Sequence, residues 1–401
     1  MERLVKRMTN LVFEGKRWIA GLLLSVAALC NLHVQAQEIE LLGVGRLPGK
    51  MQDRSALDEA LEDGTPHNQF GGISGLEQVG DSDEYLALPD RGPKDGAVDF
   101  QTRFHRLKIK VDPQQNPAVA VELLGTTLLK DESGRPLVGR SAAFGGPGQL
   151  QRFDPEGIRA TTDSVFISDE YGPFLFQFST DGKLQKRFQL SPYFSVAKLA
   201  ADKKETDLNE VGRPSNGGME GLALDSSNGT LVGLMQKPLL QDSVRNEEKK
   251  PVGTLCRVVV QGVKSDEQRE LVYVLENPDY KLSEILSAGE NRYLVIERDG
   301  ESGNDIEYQR IMEIDLSGAT DVKGQVALDK DAVGKTIVPV KKRTLIDLLD
   351  SKFGLKGSTM PEKIEGLAWG PKLADGRRTL IVSVDNDFVS ENDSLFYVFA
   401  W

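Results

Sequence analysis

The sequence predicts an all-β fold, a β-propeller of five four-stranded blades, with a sixth able to hide in the long connections. Three observations carry this. One phrase recurs five times along the chain. Apolar runs of period two follow each copy, separated by Gly, Asp and Asn turns. One isolated strand precedes the first unit, and the last unit is one strand short.

The phrase is clearest at Lys363-Ile364-Glu365-Gly366-Leu367-Ala368-Trp369-Gly370 and at Gly218-Met219-Glu220-Gly221-Leu222-Ala223-Leu224. Asp154-Pro155-Glu156-Gly157-Ile158 repeats it. Gly72-Ile73-Ser74-Gly75-Leu76-Glu77 and Lys281-Leu282-Ser283-Glu284-Ile285-Leu286 are degenerate copies. Recurrence of this kind marks a repeat architecture, in which each unit buries its faces against its neighbours.

Taken in order, Glu38–Val44 is the isolated strand. The first unit reads Ile73–Gln78, Glu84–Leu88, Phe104–Val111 and Val119–Leu124, and the second Gly157–Thr161, Ser164–Ser168, Leu175–Ser179 and Leu184–Leu190. The third reads Glu220–Leu224, Thr230–Met235, Gly253–Gln261 and Glu270–Leu275, and the fourth Ser283–Ser287, Tyr293–Glu297, Gln309–Asp315 and Arg343–Leu348. The fifth has only Ile364–Trp369, Arg378–Val384 and Ser394–Phe399, so Glu38–Val44 is expected to complete it and close the ring. Ser191–Asp207 reads as a helix inserted between strands.

Residues 1–36 stand apart from the propeller domain, residues 37–401. Lys6, Arg7, Lys16 and Arg17 precede or open an apolar run from Trp18 to Leu29, and Val34-Gln35-Ala36 offers small residues for cleavage. The run is short for a membrane span, so the segment reads as a cleaved signal peptide of a periplasmic or secreted protein. Without it, 44 basic and 59 acidic side chains remain, a net charge of −15. Such a surface disfavours nucleic acid and anionic lipid as partners. The expectation is a monomer without a membrane span that acts on a small molecule. Cys256 is the one cysteine after residue 36, so no intrachain disulfide forms, and its apolar surroundings suggest a buried side chain.

In a propeller the first strand of each blade lines the axis. The motif therefore predicts Ser74, Glu156, Glu220, Glu284 and Glu365 in equivalent positions around a channel. The second strands end at another polar set: Asp90-Arg91, Asp169-Glu170, Gln236-Lys237, Glu297-Arg298-Asp299 and Asp385-Asn386-Asp387. Carboxylates this close raise one another's pKa unless a cation intervenes. That cation is either protein, with Arg91 and Arg298 at matching places, or a hard metal such as Ca2+, which takes six to eight oxygen ligands. The candidate metal ligands are Glu156, Glu220, Glu284, Glu365, Asp90, Asp169 and Asp385. Arg91, Glu170 and Arg298 are the catalytic candidates. Ser74, Tyr171, Lys237 and Asn386 are the candidates for holding substrate. A structural account competes with this: Glu-Gly at a strand start also satisfies backbone amides and permits a tight corner. His67 and His105 are the two histidines after residue 36, too few for a His-rich zinc site, and no Gly-x-Ser-x-Gly elbow, phosphate loop or dinucleotide fingerprint is present.

As an ordered set, Gly72-Ile73-Ser74-Gly75-Leu76 with Ala87-Leu88-Pro89-Asp90-Arg91-Gly92, Asp154-Pro155-Glu156-Gly157-Ile158 with Ser168-Asp169-Glu170-Tyr171-Gly172-Pro173, Glu220-Gly221-Leu222-Ala223, Tyr293-Leu294-Val295-Ile296-Glu297-Arg298-Asp299 and Lys363-Ile364-Glu365-Gly366-Leu367 resembles the bacterial phytase-like family, "esterase-like activity of phytase". The resemblance implies an exported propeller that hydrolyses phosphate or other esters with calcium bridging substrate to protein. Few cations stand at the repeated positions (Arg91, Arg298 and Lys237), which favours a smaller phosphoester over inositol hexakisphosphate. Two other readings stay open. One is a propeller lactonase or carboxylesterase using Asn216, Asn386 and Glu156 around one metal. The other is a propeller that binds a ligand or protein without catalysis.

Overall fold

The computed structural model describes residues 38–172 and 174–401. The expected signal peptide, residues 1–36, lies outside the described residues. Glu40–Ala400 folds as one unit of five antiparallel four-stranded sheets. Blade one is Ile73–Gln78, Glu84–Pro89, Arg103–Val111 and Val119–Leu128. Blade two is Pro155–Ala160, Ser164–Asp169, Leu175–Ser179 and Leu184–Phe188. Blade three is Met219–Asp225, Thr230–Met235, Leu255–Gly262 and Gln268–Val274. Blade four is Lys281–Gly289, Arg292–Arg298, Gln309–Asp315 and Lys341–Asp347. Blade five is Ile364–Gly370, Thr379–Val384 and Ser394–Ala400, with Glu40–Leu47 added on its outer edge. The pairing runs antiparallel from Leu47↔Ser394 to Glu40↔Ala400, which is the predicted closure. The blade count is five.

Alternation along each strand feeds two cores at once. In Thr230–Met235, Leu231 and Met235 join Phe166 and Phe188 of blade two, while Val232 and Leu234 join Ile285 and Val295 of blade four. In Glu84–Pro89, Leu86 and Leu88 meet Ile158 and Ile167, while Tyr85 and Ala87 meet Ile381 and Val398. Both faces are buried, so the middle strands read as continuous apolar runs. The ring is held together by these inter-blade cores.

The predicted helix over Ser191–Asp207 does not form. A 3-10 turn at Pro192–Phe194 and a single α-turn at Lys204–Leu208 stand in its place. The buried groups of this segment serve different anchors. Phe194 packs beside Phe174, and Tyr193 donates its hydroxyl to Glu270. Glu205 receives Arg152 and Arg213, and Asn209 accepts from the amides of Ala197 and Lys198. One straight helix could not reach them all.

The recurring glycine of the motif is architectural. A Cβ on Gly157 would sit 2.6 Å from the Leu222 amide nitrogen of blade three, and one on Gly221 would sit 2.8 Å from the Ile285 nitrogen of blade four. Inner strands thus meet backbone to backbone at the axis. Gly157→Ala is expected to destabilise the fold by about 1–3 kcal/mol through overpacking, readable as a lower urea midpoint at unchanged slope.

Candidate functional site

The polar residues at the mouth of the channel form three rows of five. In four blades the inner strand begins with an apolar or proline residue, in blade four that place falls to Leu282, the second residue of the strand, and in each blade the next residue occupies a bulge. The bulge residues Ser74, Glu156, Glu220, Ser283 and Glu365 make the axial row. The residues just before that apolar or proline position, Gly72, Asp154, Gly218, Lys281 and Lys363, make the rim row. Their carbonyls or register partners fix the outer row: Asp90, Glu170, Gln236, Arg298 and Asp385.

This register corrects two expectations. Ser283, not Glu284, holds the axial position in blade four. Glu284 fills the place that glycine takes in the other four blades. Glu170, not Asp169, holds the outer position in blade two. Asp169 pairs with Pro155 inside the sheet, and its Oδ1 accepts from the Asp154 amide at 2.8 Å. It positions Asp154. Burial pushes the Asp169 carboxyl up to about 6.

Glu284 belongs to a lower layer, with Arg159. Glu284 Oε1 accepts from the amides of Leu222 and Ile285, and its Oε2 lies 3.2 Å from Arg159 Nη2. Arg159 is 1% exposed and donates to the carbonyls of Leu76, Ile158 and Ile285, from blades one, two and four. Burial raises Glu284 to about 8 despite that guanidinium. Sequence reasoning missed Arg159. The sole signal was a basic residue on a strand otherwise expected to be apolar below its glutamate.

Above this layer sits a carboxylate pocket. Oxygens of Asp154, Glu156 and Glu170 lie within 4.8 Å of one another, and all three side chains are buried. Glu220 is beside them. Its Oε1 accepts from Gln236, and its Oε2 is buried without a partner. Glu156 accepts no hydrogen bond among the described residues. Glu170 Oε1 accepts from the Gly218 amide at 3.1 Å, and its Oε2 is buried and unpartnered. Asp154 Oδ1 accepts from the Arg91 amide. Arg91 Nη1 lies 2.8 Å from Asp154 Oδ2 and 3.6 Å from Glu170 Oε2, close but out of hydrogen-bond alignment. Its Nη2 donates to Asn216, which holds a left-handed φ of 52°. This guanidinium therefore reaches two of the four carboxylates, Asp154 and Glu170. Burial, then the repulsion of Glu220, pushes the Glu156 carboxyl well up. Burial and Glu170 do the same to Glu220, and burial brings Asp154 to about 8. Asp154 was visible in the motif but was not singled out.

Blades four and five are different. Glu365 accepts from Ser74 Oγ at 3.1 Å and from Arg298 Nη2 at 2.6 Å. Burial would raise it, but Lys363, Arg298 and Lys281 outweigh that and hold it below the usual range. Arg298 Nε donates to Ser283 Oγ. Lys363 bridges Asp385 and Asp387. Burial and the repulsion of Asp385 push Asp90 up, and its Oδ1 caps the Gly92 amide. Asp385 rises to about 6, through burial. Glu365, Asp90 and Asp385 are thus already engaged by protein donors.

Two substrate candidates are structural supports. The Tyr171 hydroxyl donates to the Gly139 carbonyl, and Arg91, Arg152 and Arg213 surround its ring. Asn386 Oδ1 accepts from Gly72 and Phe388, and its Nδ2 donates to the Asn392 carbonyl. The histidines stand elsewhere: His67 accepts from the Gln101 amide and His105 meets Thr126. Cys256 is buried and free, as expected.

A cleft of about 920 Å³ opens onto this mouth, lined in part by Lys50, Asp90, Arg91, Lys94, Asn216 and Lys363. The carboxylates beside it supply the hard oxygen donors that Ca2+ prefers, with several lone pairs unspent. The donor set fits a divalent cation.

The family described as phytase-like, esterase-like activity of phytase, matches residues 68–388. The chain belongs to this family. Among relatives of the phytase-like chain, an uncharacterized secreted protein from Arthroderma benhamiae is 25% identical over 491 residues, covering 97% of this chain and 94% of its own. Among solved structures, the glutaminyl cyclase of Myxococcus xanthus is similar at TM-score 0.36 and 12% identity, covering 89% of this chain and 97% of that one. The periplasmic gluconolactonase of Pseudomonas aeruginosa is similar at TM-score 0.35 and 10% identity, covering 89% and 94%. At these scores the likeness carries neither substrate nor mechanism. No helix among the described residues is long and apolar enough to cross a membrane.

Proposed function

We propose that this phytase-like propeller is an exported, metal-assisted ester hydrolase whose cation sits among Asp154, Glu156, Glu170 and Glu220. The observation that carries the reading is the set of buried carboxylate oxygens without hydrogen-bond partners on Glu170 and Glu220, beside a Glu156 that accepts no hydrogen bond among the described residues. Buried polar groups are ordinarily satisfied, and a cluster left open asks for a ligand. When bound, a calcium ion supplies Lewis-acid polarisation of a substrate oxygen. Asp169 orients Asp154 through its amide, and Gln236 orients Glu220. Arg91, fixed by Asp154, Glu170 and Asn216, lines the cleft and offers donors to charge that develops on the ester. Lys50, Lys94 and Lys363 in the same cleft suit a small phosphoester.

Export rests on the basic and apolar residues 1–36 and on the relative named as secreted. Residues 37–401 would then be the mature domain, acting as a monomer. The lactonase reading loses one ligand, because Asn386 is spent on backbone groups.

The test is hydrolysis of nitrophenyl phosphate and nitrophenyl acetate with calcium and then with chelator. The expected result is turnover of at least one ester with calcium, abolished by chelator and by Glu156→Gln. Equal rates in both conditions would remove the metal from the reaction, and no rate in either would leave a binding propeller as the better account.

A further inference from the structure

The channel mouth is electrically divided. Blades two and three present Asp154, Glu156, Glu170 and Glu220, whereas blade four presents Lys281 on the rim row and Arg298 on the outer row. Lys237 follows Gln236 at the end of the second strand of blade three, and the Gln236 carbonyl accepts from the Leu282 amide at 3.1 Å, which brings the start of blade four, with Lys281, alongside Lys237. Among the described residues Lys237 makes no hydrogen bond and no ion pair. Arg298 spends Nη2 on Glu365, while its Nη1 lies 3.7 Å from Glu362 Oε1. Lys281 Nζ reaches the same Glu362 oxygen at 3.3 Å. Around Lys281 three cations thus face two carboxylates, Glu362 and Glu365, while the buried Arg298 also acts on Glu220.

Glu362 is the weak member. Its side chain is 35% exposed, and it meets both cations at loose distances. Exposed ion pairs of this geometry contribute little. A carboxylate held so lightly marks where another anion would sit, and the unpaired Lys237 adds a donor that Glu362 does not use.

We propose that Lys237, Lys281 and Arg298 form an anion subsite that takes a carboxylate or phosphate group of the substrate in place of Glu362. The inference rests on the hydrolase reading for its role: the substrate would be an ester bearing a second anionic group, remote from the bond that reacts. Its binding chemistry needs no metal, and that separates the two ideas.

The experiment is calorimetric titration of the full chain with inorganic phosphate and with succinate, first in chelator. The wild type is expected to bind at least one of the two. Lys237→Met and Lys281→Met should each weaken that binding about tenfold, the loss of one charge-assisted contact. Glu362→Gln should tighten it severalfold. Lys237 makes no hydrogen bond or ion pair among the described residues, and methionine keeps its apolar stem, so its variant stays informative if Lys281→Met does not fold. The subsite is overturned if neither anion binds wild type or Glu362→Gln in chelator. It is equally overturned if binding appears only with calcium and ignores Lys237→Met, since the anion then sits on the cation. A separate calcium melt of the wild type tests the carboxylate pocket: failure there with lysine-dependent anion binding intact sinks the hydrolase reading and keeps the subsite.

Discussion

Arg159→Met is expected to lower stability by about 3–5 kcal/mol, the range for removing one partner of a buried ion pair. The guanidinium lies across the axis below the carboxylate pocket. It donates to carbonyls of three different inner strands, Leu76 at 2.9 Å, Ile158 at 2.5 Å and Ile285 at 2.7 Å. The guanidinium and the three residues it serves are all buried. Methionine keeps the apolar stem but leaves the three carbonyls without this donor and Glu284 without its neighbouring cation. Glu284 can escape by taking a proton, since burial already holds its carboxyl at about 8. The carbonyls cannot. Glu284→Gln should therefore cost much less than Arg159→Met, and the double variant should regain only part of the loss. Urea unfolding of the four proteins measures this cycle. A loss below about 1 kcal/mol for Arg159→Met would mean that the inter-blade cores close the ring unaided.

The blades were legible because two signals agreed. The Glu-Gly phrase marks where an inner strand starts, and glycine is required there by the backbone contact that Gly157 makes with Leu222. The period-two runs behind it give the remaining strands. The missing strand of blade five was legible by counting. Register was not. In Leu282-Ser283-Glu284-Ile285 two polar residues compete for one inward position and no glycine decides between them. The bulge gives it to Ser283. Asp169 and Glu170 posed the same choice, one residue apart. Asn386 and Tyr171 carried a ligand-like composition, yet Tyr171 is spent on the Gly139 carbonyl 32 residues away and Asn386 on the Gly72 amide 314 residues away, besides its near neighbours Phe388 and Asn392. Pairings of that range leave no local pattern. The loop over Ser191–Asp207 failed as a helix for a related reason: its anchors Arg152, Arg213 and Glu270 lie on other segments.

Calcium is expected to raise the melting temperature, and by more near pH 8 than near pH 5. The carboxyls of Asp154, Glu156 and Glu220 are all raised, first by burial and then by neighbouring carboxylates, Glu170 among them in each case, Asp154 from 3.8 to about 8. A carboxyl whose pKa is higher in the folded state binds more protons there than in the unfolded chain. Its contribution to stability is full below the unfolded value and is lost as pH rises through the folded one. For Asp154 that window runs from about 4 to about 8. In chelator the protein should therefore lose stability across it. A cation binds the ionised carboxylates, so it must displace protons at low pH and finds an open site at high pH. At a hundredfold excess over its dissociation constant it would add about 2.7 kcal/mol. Glu220→Gln separates charge from architecture. It removes one repelling carboxyl and keeps the bond to Gln236 within reach, so near pH 8 in chelator it should melt above the wild type while its calcium response shrinks. A wild-type melting temperature that stays level from about pH 5 to about pH 8 in chelator, and that calcium does not move, would assign the four carboxylates to the architecture of the axis alone.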